Sequence, residues 1–137
     1  MSTPTMTILV YSDDYTTRQK VRLAIGRRPA PDLPRVEYME CATAPMVRRA
    51  LDEGGIDVLV LDGEAVPYGG LGLSRQLKSE VYKCPPVLVI IGRAQDAWLA
   101  SWSLAESVVA HPIQPVQVAN AVADLMRRRA AQLPAAS

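Results

Sequence analysis

The sequence lacks the features that mark several large classes of protein. It has two cysteines and one histidine among 137 residues, which are too few for a disulfide framework and too scattered to favour a structural zinc site. No apolar run approaches the length that spans a bilayer, and the first residues lack the basic start and apolar stretch of a signal peptide. Fifteen basic residues nearly balance fourteen acidic ones, so no strong field attracts nucleic acid or acidic lipid. We expect a cytoplasmic protein that binds neither nucleic acid nor membranes.

The composition is that of one globular domain. Hydrophobic residues make up 49% of the chain and charged residues 21%, which is typical of a packed fold rather than a disordered segment. A chain of this length has the size of a single domain. We expect one domain over residues 1–137, with its core over about residues 6–129 and a frayed tail at 130–137.

Short apolar runs alternate with helical patterns along the chain. The apolar runs predict strands at 6–11, 35–41, 56–61, 87–91 and 107–110. The spacing of apolar residues predicts helices at 15–28, after Thr43, around 73–81, around 98–102 and at 115–129. Five strand–helix units of this kind predict an α/β fold with a single five-stranded parallel sheet, doubly wound as (βα)5 in the flavodoxin-like order 2-1-3-4-5.

Acidic residues follow two of the predicted strands. Asp13 and Asp14 come directly after the first strand, and Asp62 follows the third. Ligands of doubly wound sheets bind at the carboxyl ends of the strands, so we expect these three carboxylates to meet in one pocket. Three carboxylates that meet would repel one another unless a cation joined them, and Mg²⁺ is the natural cation for such ligands. A carboxylate beside that cation can also act as a nucleophile and carry an aspartyl phosphate.

The segments that end these strands resemble the receiver domains of two-component response regulators. The resemblance rests on ILVYSDDYTTR around the first strand, VLVLDGEAVPYGGLGL around the third and AHPIQP after the fifth. It extends over about residues 6–129, nearly the whole chain.

The resemblance assigns a role to each acidic position. Asp13, Asp14 and Asp62 would hold Mg²⁺ together with the backbone oxygen of Glu64. Asp62 would accept a phosphoryl group from the phosphohistidine of a sensor kinase. The family also implies a cis peptide bond before Pro112.

Three positions depart from the family's pattern. His111 stands where the family has a lysine that pairs with the phosphoryl group, and it would be a shorter and weaker cation. Ile91 and Gly92 end the fourth strand without the family's threonine or serine hydroxyl. Val108 stands at the position of the aromatic residue that turns inward on activation. These departures weaken the usual switch, so we expect an atypical receiver.

The resemblance implies a stand-alone receiver in phosphorelay signalling, with Asp62 as the phosphoacceptor and contact with a downstream protein as its output. A sensor histidine kinase or a phosphotransfer protein would supply the phosphoryl group. Any catalysis by the chain would be limited to phosphoryl transfer to Asp62 and hydrolysis of the product. We expect a monomer or a weak homodimer.

Two tryptophans suggest a surface for that output. Trp98 and Trp102 are four residues apart and share a face of the fourth predicted helix. Their spacing favours packing in the core. The alternative is a partner surface formed by the fourth helix, the fifth strand and the fifth helix, since aromatic residues are enriched in contact cores.

Two other functions remain open. A pseudo-receiver would keep the fold and bind its partner without phosphorylation, and the missing hydroxyl and lysine favour it. A flavodoxin-like binder of a small molecule would use the same crevice for a nucleotide or flavin. Ser12-Asp13-Asp14 argues against that binder, because it puts negative charge where a phosphate-binding loop needs bare N–H groups.

Overall fold

A computed structural model describes residues 4–66 and 68–133 of the chain. Its strands are β1 Thr5–Tyr11, β2 Arg35–Cys41, β3 Val58–Asp62, β4 Val87–Ile91 and β5 Ser107–Ala110. Its helices are α1 Tyr15–Ile25, α2 Ala44–Glu53, α3 Gly70–Glu80, α4 Trp98–Ser103 and α5 Pro115–Gln132, with a 3-10 turn at Ala94–Asp96. The strands form one parallel sheet in the order β2-β1-β3-β4-β5. This confirms the fold class that the sequence predicts.

The burial of each strand follows its sequence. All residues of β3 (VLVLD) and β4 (VLVII) are buried, as expected for central strands that helices cover on both faces. The strand β2 pairs only with β1, so it is an edge of the sheet, and its residues alternate between exposed and half-buried until the buried Cys41. The central strands therefore anchor the sheet, and their carboxyl ends lie side by side.

Helices cover both faces of the sheet. On one face α1 and α5 pack on a cluster that includes Val21, Ile25 and Val122. On the other face α2, α3 and α4 contribute Val47, Leu77 and other residues to a second cluster. None of the helices within the described ranges is long and apolar enough to cross a membrane.

Helix ends account for most differences from the sequence-based boundaries. The helix α1 ends at Ile25 rather than at residue 28, because Gly26 adopts a positive φ of 72°. The Gly26 N–H donates a hydrogen bond to the Arg22 carbonyl and so caps the helix. The helix α5 continues through Gln132, so residues 130–132 are helical where we expected a frayed tail. Leu133 is the C-cap of the helix, and residues 134–137 of that predicted tail lie outside the described residues.

The third strand begins later than its apolar run. Residues 56–61 were expected to form it, but β3 spans Val58–Asp62. Gly54 and Gly55 both have positive φ, and the Asp57 carboxylate accepts a hydrogen bond from the Thr7 N–H. The chain is therefore still entering the sheet at Asp57, and the last residue of the strand is Asp62.

The helix α4 turns its tryptophans outward. Trp98 is 70% exposed and Trp102 is 48% exposed, while Ala100 and Ser103 are buried. Packing of the two indoles in the core, which their spacing favoured, was therefore wrong. The helix has only six residues, and its buried side chains are the small ones. The Arg75 guanidinium lies 5.1 Å from the centre of the Trp102 ring.

Candidate functional site

Asp62 lies at the carboxyl end of β3 with its side chain almost fully enclosed. The residue is 4% exposed. Its Oδ2 accepts a hydrogen bond of 2.8 Å from the Ser12 hydroxyl, and its Oδ1 accepts one of 2.9 Å from the Glu64 N–H. His111 Nε2 lies 3.2 Å from the same Oδ1. A buried carboxylate needs such partners, because removing it from water without them is costly.

Strand register explains why Ser12 reaches this carboxylate. Tyr11 on β1 pairs with Leu61 on β3, so the next residues along the two strands, Ser12 and Asp62, are neighbours. Sequence reasoning missed Ser12 as a member of the site. The signal was available, since Ser12 is the first polar residue after the apolar run of β1, at the edge where Asp62 ends β3.

Asp14 serves its own helix. Its Oδ1 accepts from the Thr16 N–H at 3.0 Å, and its Oδ2 accepts from the Thr17 hydroxyl at 2.9 Å. These two bonds, with the Thr17 hydroxyl as the larger cause, lower the pKa of the Asp14 carboxyl. Asp14 is therefore the N-cap of α1, and both of its oxygens are engaged there.

Asp13 holds the loop that follows β3. Its Oδ1 accepts a hydrogen bond of 3.1 Å from the Val66 N–H. The Tyr11 hydroxyl donates to the Tyr68 carbonyl at 2.5 Å, so a second contact from the end of β1 holds the same loop. Burial raises the pKa of the Tyr11 phenol, and the charges of Asp13 and Asp62 raise it further. Both carboxylates therefore lie near this phenol.

The three acids do not form one cluster. Within residues 4–66 and 68–133, no group of three or more His, Cys, Asp or Glu side chains is arranged to hold a metal ion. Asp14 caps α1 with both of its oxygens, and the binding of one Mg²⁺ by Asp13, Asp14 and Asp62 stays a prediction. Asp13 and Asp62 remain, and two carboxylates are a suitable ligand set for Mg²⁺, since this ion commonly binds one or two carboxylates and keeps several waters.

His111 lies where β5 leaves the sheet. Its N–H donates to the Ile91 carbonyl at 2.8 Å, which continues the ladder between β4 and β5 by one residue. The bond between His111 and Pro112 is cis, as the resemblance implied. The imidazole is half-buried and contacts Asp62. The structure therefore brings His111 into contact with Asp62, while its role there stays a prediction.

The other three positions that depart from the family's pattern have ordinary packing. Ile91 is buried in β4, and the half-buried Val108 packs against the cluster beneath α3 and α4. At Gly92 a Cβ would lie 1.7 Å from the Glu64 carboxylate oxygen, so the Glu64 side chain fills the space that a side chain at this position would need.

The sequence is similar to two proteins of Mycobacterium tuberculosis. Each is described as an uncharacterized response regulatory protein, and they come from two strains of that organism. Each is 52% identical to this chain over 126 residues, which are 92% of this chain and 95% of the relative. A search against models of protein families found no match.

Solved receiver structures share the fold. A response regulator receiver domain protein from Clostridium thermocellum superposes with a TM-score of 0.75 at 19% identity, over 93% of this chain and 99% of that one. The response regulatory domain of mrkE from Klebsiella pneumoniae gives a TM-score of 0.74 at 17% identity, over 93% and 100%. A receiver domain from Francisella gives 0.74 at 15% identity, over 90% and 98%. At these identities the likeness establishes the architecture.

Proposed function

The chain belongs to the response regulator family, and we propose that it is a receiver in which Asp62 accepts a phosphoryl group during a phosphorelay. The observation that carries the proposal is the environment of Asp62. Its buried carboxylate is oriented by Ser12, by the Glu64 N–H and by contact with His111, at the strand end where doubly wound sheets bind their ligands.

The reaction transfers a phosphoryl group from the imidazole nitrogen of the donor to a carboxylate oxygen of Asp62. An oxygen of Asp62 forms a bond to phosphorus, the bond from phosphorus to the donor's imidazole nitrogen breaks, and that nitrogen keeps the electron pair. Both Asp62 oxygens have a protein donor, so the oxygen that does not attack stays held by at least one hydrogen bond. The carboxylate is thereby fixed in orientation, which is the main requirement of phosphoryl transfer.

We assign the metal to two carboxylates and one backbone oxygen. Asp13, Asp62 and the Glu64 carbonyl would hold Mg²⁺, which when bound neutralises charge on the phosphoryl oxygens. Asp14 has both oxygens bonded within α1, so we assign it the helix cap and leave it out of the ligand set. His111 would act as the cation beside the phosphoryl group, in place of the family's lysine.

A sensor histidine kinase or a phosphotransfer protein would supply the phosphoryl group, and contact with a downstream protein would be the output. The exposed indoles of Trp98 and Trp102 support an output surface on α4. Cys41 and Cys84 are free thiols, which is consistent with a reducing cytoplasm. We propose an atypical receiver that is a monomer or a weak homodimer.

A pseudo-receiver that binds its partner without phosphorylation is the second candidate. Ile91 and Gly92 bring no hydroxyl to the site, and Asp14 is engaged by its helix. The same observations are consistent with a site that keeps the fold of a receiver but does not accept a phosphoryl group. The two functions differ in whether Asp62 takes up phosphate.

Phosphorylation with a small donor tests the choice. The protein is incubated with phosphoramidate and Mg²⁺, and its intact mass is measured. We expect one phosphoryl adduct on the wild type, none on Asp62→Asn, and less adduct after Mg²⁺ is chelated. The control Asp124→Asn removes an exposed carboxylate from α5 and should be labelled like the wild type. A wild type that stays unlabelled under conditions that label an ordinary receiver would establish the pseudo-receiver.

A further inference from the structure

A cavity of about 450 Å³ opens beside the phosphoacceptor site. Residues from α1 and from the turns after β4 and β5 line it: Thr17, Lys20, Gly92, His111, Pro112 and Ile113. His111 forms the wall between this cavity and Asp62, since its Nε2 lies 3.2 Å from the Asp62 Oδ1. The cavity therefore lies next to Asp62, with the His111 ring between them.

The lining carries only basic titratable groups. Lys20 and His111 are the titratable residues of the lining, and none of the six lining residues has a carboxylate. The nearest acids lie outside it. The Asp14 Oδ2 accepts a hydrogen bond from the Thr17 hydroxyl. The charge of Lys20 adds to the effect of that bond in lowering the pKa of the Asp14 carboxyl. The exposed Glu64 carboxylate lies against Gly92, on the side toward which a Cβ would point.

Lys20 is not committed to another partner. Among the described residues it makes no ion pair or hydrogen bond, whereas its neighbours on α1, Arg18 and Arg22, are both bonded to Glu40. An ammonium group is a compact cation with three donors and binds phosphate as a point charge. Lys20 is therefore the positive side chain in this cavity that is available to an anion.

We propose that this cavity binds the phosphate group of the phosphodonor and that Lys20 supplies the principal cation. His111 stands at the position of the family's lysine, and Ile91-Gly92 supplies no hydroxyl, so a cation from α1 would add to the charge that His111 provides. The Glu64 side chain fills the space that a Cβ at Gly92 would take, and the cavity of about 450 Å³ accommodates a phosphate with a small leaving group. The delivery of phosphate to Asp62 rests on the proposed function, but the anion site itself does not.

Inorganic phosphate is the probe for the anion site. The chain has one histidine, so its imidazole C–H signals in an NMR spectrum report on His111 alone. Phosphate is titrated at constant pH and constant ionic strength, with chloride as the reference salt, because screening alone must not move the signals. We expect saturable shifts in the wild type and weaker binding by about threefold or more in Lys20→Met. Lys20→Arg should keep the affinity within about twofold, since it keeps the charge.

A matched control separates a local from a general effect of charge. Arg49→Met removes an exposed cation from α2, on the opposite face of the sheet, and should leave phosphate binding unchanged. Circular dichroism of each variant checks that it is folded. The proposal is overturned by a wild type without saturable shifts, or by Lys20→Met binding phosphate as tightly as the wild type.

A second arm separates this inference from the proposed function. The rate at which phosphoramidate labels Asp62 should fall in Lys20→Met and recover in Lys20→Arg. If the wild type binds phosphate but forms no adduct, the anion site stands and the proposed function fails. If the wild type forms the adduct at the same rate as Lys20→Met, the proposed function stands and the role of Lys20 in delivery is refuted.

Discussion

The replacement of Ser12 by alanine tests how the buried carboxylate of Asp62 is held. The Ser12 hydroxyl is fully buried and donates to the Asp62 Oδ2 at 2.8 Å. It also accepts a hydrogen bond of 3.1 Å from the Asp14 N–H. A hydrogen bond to a charged group contributes roughly 1.5–3 kcal/mol. We expect Ser12→Ala to lower the free energy of unfolding by about 2–3 kcal/mol, because Asp62 is too buried to recover the bond from water.

The control is a second buried serine with a neutral acceptor. The Ser74 hydroxyl donates to the Ser103 carbonyl at 2.9 Å, and Ser74 is also fully buried. We expect Ser74→Ala to cost about 1 kcal/mol or less, since the acceptor is uncharged and alanine favours the helix α3. Urea unfolding at neutral pH measures both values, with the slope of each curve showing whether the denatured state has changed.

A double-mutant cycle isolates the contact with Asp62. In an Asp62→Asn background the acceptor is neutral, so we expect the cost of Ser12→Ala to fall by about 1 kcal/mol or more. The cost of Ser74→Ala should be the same in both backgrounds, because the bond from Ser74 to Ser103 does not involve Asp62. The reasoning is refuted if Ser12→Ala costs no more than Ser74→Ala, or if its cost is the same with asparagine at position 62.

Two further predictions concern other side chains. Burial raises the pKa of the Tyr38 phenol to about 12, whereas the value in an unfolded chain is near 10. The folded state therefore keeps this proton to a higher pH than the unfolded state does. The free energy of unfolding falls as the pH rises from about 10 toward 12. Tyr38→Phe should flatten this alkaline decline in urea unfolding; an unchanged decline would show that Tyr38 does not cause it. Gly92→Ala should cost less than about 1 kcal/mol, because the Glu64 carboxylate that its Cβ would meet is exposed and can move. In a Glu64→Ala background that cost should vanish, and a persistent cost in thermal unfolding would instead indicate strain in the backbone.

Local sequence patterns were sufficient to predict the architecture. The apolar segments of β3 and β4 are short and fully buried, which is typical of central parallel strands. Thr43 caps the start of α2 and Gly54 caps its end. Both could be predicted because a cap acts on backbone groups only a few residues away. With five such units, the handedness of the crossovers leaves few sheet orders, so the observed order followed from the sequence.

The composition of the site was only partly predictable. The rule that ligands bind at strand ends located Asp62, and the resemblance placed His111 beside it, before any contact was known. It did not distinguish Ser12 from Asp14, since both follow the same strand. Helix α1 begins at Tyr15, so Asp14 is its cap and turns toward the helix, while Ser12 stays in register with Asp62.

The sequence by itself determined which segments become strands and helices and which polar residues end them, because propensity, capping and apolar period act over a few neighbouring residues. Only the tertiary structure decided how each element is rotated and which partners its side chains meet. The outward face of α4 with Trp98, the bond between Asp13 and Val66, and the cavity that Lys20 shares with His111 all join segments that are distant in sequence or depend on how a helix is turned. Such contacts depend on register and packing between elements, and no local pattern encodes them.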